Sequence, residues 1–150
     1  PDKPVPGAEA VVGPEKKLEL LAWADFVVLA TPLTPETDDM IDREALAAMR
    51  SSAYLINIAR GEVVDDDALV DALRRGAIAG AGLDTFREEP LPSSSPYWTL
   101  PNCIVTPHIS GYTPKYFERT LELFRDNLRR YVAGDRLRNV VDKRLGYVTG

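Results

Sequence analysis

One cysteine, Cys103, and one histidine, His108, occur in 150 residues. A disulfide within the chain is therefore excluded, and a reducing cytoplasm is the expected compartment. One His and one Cys are also too few for a metal cluster, and the acid-rich VVDDDAL reads as a helix start, so no metal is expected. Long hydrophobic runs are missing. FVVLA is among the longest, far short of the roughly 20 apolar residues that span a bilayer, so no membrane association is expected. No signal-peptide pattern opens the sequence. The net charge is -5 and no Lys/Arg cluster stands out, which argues against a nucleic-acid partner. No G-x-S-x-G elbow is present, so Ser110 and His108 do not form a hydrolase pair. GAG at 80–82 lacks the third glycine of a G-x-G-x-x-G loop and reads as close backbone packing within a strand. The opening PDKPVPGAEAVVG is a Pro/Gly-rich connector, so the chain is read as beginning in mid-fold.

What remains is an ordinary globular composition, 45% hydrophobic and 27% charged, and enough chain for one domain with a core. PEKKLELLAWA (14–24) has helical spacing of Leu18, Leu21 and Ala22 behind Pro14. DFVVLA (25–30) is a short continuous apolar run, the mark of a strand covered on both faces. TPLTPETDDMI reads as a loop with a helical turn capped by Thr34. Asp42 caps a short helix at 42–49. AYLINI (53–58) is a second strand. DDDALVDALRRG (65–76) is a helix with acids first, Arg74 and Arg75 last, and Gly76 to stop it. IAGAGLD (78–84) and CIVTP (103–107) are a third and a fourth strand. A long amphipathic helix follows at 113–134, with Thr113 as cap and Phe117, Leu121, Phe124 and Leu128 on one face.

Strands alternating with helices at this spacing define an α/β fold with a doubly wound parallel sheet and helices on both sides. Ligands of such sheets bind outside the carboxyl ends of the strands. Those ends are followed by TPLT (31–34), ARGEVV (59–64), DTFREEP (84–90) and TPHISG (106–111). His108, Arg60, Asp84, Glu88 and Glu89 should therefore converge on one edge. Arg60, before Gly61, suits bidentate binding of a carboxylate. Glu88 or Glu89 could orient His108 as a general acid/base. Asp84 could orient a polar group of a cofactor, or could simply form a turn. Cys103 reads as a small residue packed beside a strand.

ADFVVLATPLTPET, LINIARGEVVDDDALVDAL, GAGLDTFREEPLP, PNCIVTPHISG and NLRRYVAGDRLRNVVDKRLGY stand in this order along the chain. Together they resemble the D-isomer-specific 2-hydroxyacid dehydrogenases, the family of glyoxylate/hydroxypyruvate reductases and phosphoglycerate dehydrogenase. The resemblance implies the C-terminal half of a Rossmann-like NAD(P)-binding domain whose glycine-rich first βαβ unit is missing. Residues 1–134 would be that partial domain, and 135–150 a tail that packs on an absent substrate domain.

The implied activity is hydride transfer between NAD or NADP and a small 2-oxo acid. Arg60 would bind substrate, Glu89 would be the carboxylate partner and His108 the acid/base. Cofactor contacts would fall to Thr31, Pro32, Thr37, Ile58, Ala59, Arg60, Asp84, His108 and Gly111. Glu89 disfavours the formate dehydrogenase branch, which has Gln there. A homodimer is implied for the full-length form, and a 150-residue piece would be inactive alone. The other reading is a non-catalytic, corepressor-like protein that senses dinucleotide and works by association. Without partners, the apolar face of the last helix should be partly orphaned.

Overall fold

The computed structural model describes residues 6–148. Four strands form one parallel sheet: β1 (Phe26–Leu29), β2 (Tyr54–Asn57), β3 (Gly80–Leu83) and β4 (Cys103–Val105). Their order in space is their order in sequence, β1-β2-β3-β4. Phe26 pairs with Tyr54, Tyr54 with Gly80, and Ala81 with Cys103. The helices between them are α1 (Lys17–Trp23), α2 (Arg43–Ala48) and α3 (Asp66–Arg75); α4 (Tyr116–Ala133) follows the sheet. A short antiparallel hairpin, β5 (Val141–Asp142) with β6 (Tyr147–Val148), closes the described chain.

The local signals act as their chemistry dictates. Asp42 accepts from the Ala45 amide and caps α2. Asp65 does the same for α3 from Ala68, and Gly76 ends α3 in the left-handed region at φ 65°. A β-carbon is strained at that φ, which is why glycine stands there. Pro14 opens a 3-10 turn over Pro14–Lys16 that passes into α1, so the first helix has two parts. The stretch after β1 forms turns and no helix: the amides of Thr37 and Asp38 both bond the Thr34 carbonyl. α4 begins at Tyr116 with Lys115 as its cap, later than Thr113, whose carbonyl instead accepts the Tyr116 amide.

The core lies between one face of the sheet and helices α1 to α3. Leu29, Leu55 and Leu83 meet Leu21, Leu46, Leu69 and Leu73 there, all at most 4% exposed. The other face departs from expectation. Phe26 and Val28, which alternate in β1 with the half-buried Val27 and the buried Leu29, are 67% and 55% exposed, and Ile104 in β4 is 71% exposed. Among the described residues helices cover one face of the sheet and leave the second bare. Phe26 and Tyr54 stack on that bare face with ring centroids 5.7 Å apart. α4 buries none of its residues, and Phe117, Leu121, Phe124 and Leu128 all face outward. The orphaned apolar face expected of the last helix is therefore present. No described helix is long and apolar enough to cross a membrane.

Candidate active site at the carboxyl edge of the sheet

The segments that follow β1 to β4 gather on one edge, and each is held by its own polar device. After β1, Thr37 donates its hydroxyl to the Pro32 carbonyl (2.8 Å) and accepts from the Thr34 amide (2.8 Å). This braces the loop that carries Thr31 and Pro32. After β2, the buried side chain of Asn57 accepts from the Ala59 amide (3.0 Å) and donates to the Arg60 carbonyl (2.9 Å). Asn57 thus shapes the turn that projects Arg60. Sequence reasoning passed over this residue, although a lone amide inside an apolar strand was a readable sign of a polar contact.

After β3, the buried Asp84 carboxylate accepts the Ile109 amide (3.0 Å) and the Ser110 amide (2.8 Å), together with the Thr106 hydroxyl. Burial works against ionisation, but the hydrogen bonds from Thr106, Ser110 and Ile109 win and pull the carboxyl down to about 2. Asp84 therefore clamps the loop after β4, on which His108 rides. His108 itself lies in the left-handed region at φ 53°, with its amide bonded to the Thr106 carbonyl (3.1 Å). A non-glycine residue persists there only when its surroundings over-determine it, and such strain clusters at functional sites.

The imidazole meets a carboxylate. His108 Nδ1 lies 2.8 Å from Glu89 Oε2, and Glu89 Oε1 accepts the Phe86 amide at 2.9 Å. Partial burial of Glu89 opposes ionisation. The hydrogen bonds of His108 and Phe86, with the nearby charges of His108 and Arg60, nevertheless hold its carboxyl below the usual range. Of the two acids left open by the sequence, Glu89 is the one that meets His108. The Glu89–Pro90 peptide is cis.

Two cavities open along the edge. A cavity of about 640 Å³ has Glu89 and His108 in its wall, with Phe86, Leu91, Trp98 and Val105 as apolar lining. A second, of about 320 Å³, is lined by Thr31, Pro32, Ile58, Ala59 and Arg60, with Tyr147 of the hairpin at its margin. Thr37, Asp84 and Gly111 line neither: the first two brace the loops, and Gly111 is exposed beyond the His108 turn. The shielded hydroxyl of Thr31 has no hydrogen-bond partner among the described residues. An unpaired buried hydroxyl carries a free-energy cost that a polar ligand group would relieve. Thr31 and the exposed Ile58 beside it thus fit the polar and flat parts of a dinucleotide. Among the described residues no group of three His, Cys, Asp or Glu side chains could hold a metal ion.

A parallel sheet with a His–Glu contact and two cavities at its carboxyl edge is Rossmann-like, and that edge is where such sheets bind their ligands. Comparison with known proteins makes the class specific. The sequence model of the D-isomer specific 2-hydroxyacid dehydrogenase NAD binding domain matches residues 4–110. The chain belongs to that family. It is 47% identical over 126 residues to glyoxylate/hydroxypyruvate reductase B of Serratia proteamaculans, covering 84% of this chain and 39% of that protein. A D-isomer specific 2-hydroxyacid dehydrogenase from Xanthobacter autotrophicus Py2, solved with NADPH and MES, superposes with a TM-score of 0.87 at 41% identity. That match covers 98% of this chain and 60% of the other. A probable 2-hydroxyacid dehydrogenase from Rhizobium etli CFN 42, solved with NADP, HEPES and L(+)-tartaric acid, gives 0.80 at 31% identity, over 97% of this chain and 46% of the other. The chain spans about half the length, or less, of the curated relatives it matches.

Proposed function

We propose that this chain is the catalytic-edge half of an NAD(P)-dependent D-2-hydroxyacid dehydrogenase that reduces a small 2-oxo acid of the glyoxylate or hydroxypyruvate kind. The observation that carries the reading is the 2.8 Å contact between His108 Nδ1 and Glu89 Oε2. Glu89 fixes the ring through Nδ1, which leaves Nε2 to give a proton to the oxygen of the reacting carbonyl. Arg60 binds the substrate carboxylate through its fork and orients the 2-oxo group. Thr31, Pro32, Ile58 and Ala59 would hold the dinucleotide along the strand ends. When bound, its nicotinamide supplies the hydride. In the oxidation direction His108, deprotonated, takes the hydroxyl proton back.

The glycine-rich phosphate loop is not in these 150 residues. Helix N-termini and glycine loops supply the main grip on a dinucleotide phosphate. Turnover therefore belongs to a polypeptide that includes that unit. The test is a panel of 2-oxo acids with NADH and NADPH, assayed on the full-length protein that carries this chain. Reduction of glyoxylate or hydroxypyruvate that disappears in Arg60→Ala supports the reading. Absence of turnover with every 2-oxo acid, alongside intact dinucleotide binding, would overturn it in favour of a sensing role.

A further inference from the structure

Arg60 comes from the turn after β2, whereas Glu89 comes from the loop after β3. Hydride and proton chemistry needs the two at a fixed separation, yet Arg60 and Glu89 share no hydrogen bond with each other. Their spacing must be set by what joins the two loops. Gly61, directly after Arg60, is buried against the Phe86–Arg87 peptide: a β-carbon there would overlap the Phe86 carbonyl carbon and the Arg87 amide nitrogen. The amide of that same Phe86 holds Glu89 Oε1. Above this contact the Arg87 side chain turns back over the first loop. Its Nη2 donates to the carbonyls of Glu62 and Val64, each at 3.1 Å, and pairs with Asp39. Nη1 lies 3.9 Å from Asp38, and Nε 4.0 Å from Asp66 at the start of α3.

We propose that Arg87 is a positioning residue for the acid/base pair: it pins the Glu89 loop to the turn that carries Arg60, and so sets Glu89 and His108 against the substrate clamp. Arg87 itself lines neither cavity. Its effect is transmitted through the Glu62 and Val64 carbonyls on one side and the Phe86–Glu89 backbone on the other. The inference rests on the reading of this edge as an active site.

All three closest contacts converge on a single nitrogen, which gives a sharp test. An ammonium carries three N–H donors and can stand in for that nitrogen, whereas a thioether of similar length has none. In the full-length protein, Arg87→Met should lower kcat by about tenfold to a hundredfold, since a misplacement of about 1 Å has that consequence. The KM for NADPH should hold within about twofold, because the dinucleotide side of the edge is braced separately by Thr37. Arg87→Lys should recover most of the lost kcat. A merely structural role predicts a lower melting temperature in both variants with kcat unchanged, and that outcome overturns the proposal. If the wild-type protein reduces no 2-oxo acid, the functional reading has failed, and the pinning is judged on coordinates instead. A crystal structure of Arg87→Met that keeps His108 Nδ1 at 2.8 Å from Glu89 and the 62–64 turn in place then rejects it; a displaced Glu89 loop upholds it.

Discussion

Asp84 Oδ2 accepts the backbone amide of Ser110 at 2.8 Å, so a buried carboxylate on β3 holds the loop that follows β4. The folded-state pKa of Asp84 is depressed, to about 2 against about 3.9 for a free aspartate. Its stabilisation is therefore present above about pH 4 and is lost as pH falls from there towards 2. The two values correspond to about 2.5 kcal/mol. Asp84→Asn should lower stability by about that amount at pH 7, and the gap from wild type should shrink as pH falls below about 4 and close only near pH 2. Denaturant titrations across pH 2–7 would check this. A gap independent of pH would mean that Asp84 acts by shape alone.

His108→Ala should lower kcat of the full-length enzyme by about 10²–10⁴-fold while dinucleotide binding persists, because general acid catalysis contributes that much. Steady-state kinetics with fluorescence titration of NADPH separates the two quantities. Glu89→Gln should keep the ring in place yet remove the charge, giving a smaller loss in kcat than His108→Ala.

Asn57→Leu leaves the Ala59 amide and the Arg60 carbonyl without their side-chain partner in a buried setting. We expect a loss of about 1–3 kcal/mol, from the unmade hydrogen bonds. We also expect a higher KM for the 2-oxo acid than for the cofactor, since the turn it releases carries Arg60. Equal changes in both KM values would place the effect elsewhere.

Two leucines of similar size should behave oppositely. Leu55 is fully buried in the central strand β2, and Leu55→Ala should cost about 2–5 kcal/mol. Leu121 on α4 is 59% exposed, and Leu121→Ala in the same 150-residue chain should fall within about 0.5 kcal/mol of zero. Thermal melts of the two variants decide the matter. A large loss at Leu121 would show that its face is covered in solution.

Much of this was legible in the residues. All four strands, and the meeting of Glu89 with His108 beyond their carboxyl ends, followed from short apolar runs ending in polar loops. α3 carried its own punctuation, with Asp65 before it and Gly76 after it. Tertiary devices were harder to read. The stretch FVVL is apolar on both faces, which reads as a strand buried on both, but among the described residues nothing covers Phe26 and Val28. Thr113 has the chemistry of a cap, yet the chain spends another turn before α4 begins, with Tyr112 and Tyr116 ring to edge at 5.0 Å. Asp84, which ends a strand, read either as a partner for a polar group of a cofactor or as a turn former. Only the fold shows its oxygens committed to the amides of Ile109 and Ser110. Nothing in the residues around Gly61 points to the peptide at 86–87, whose close approach leaves no room there for a β-carbon.

The sheet adds its strands in chain order, and that order has a consequence for biosynthesis. Each new strand docks beside the one made just before it, so every pairing closes a loop of similar, modest length and none waits for a distant segment. As the chain leaves the ribosome, Arg60 takes its place first, Glu89 next and His108 last. The carboxylate of Asp84 stays unclaimed until Ile109 and Ser110 emerge and bring their amides to it. Until then the edge holds the guanidinium of Arg60 without the imidazole of His108, and the groups that the proposed reaction needs come together only when the loop after β4 has been made.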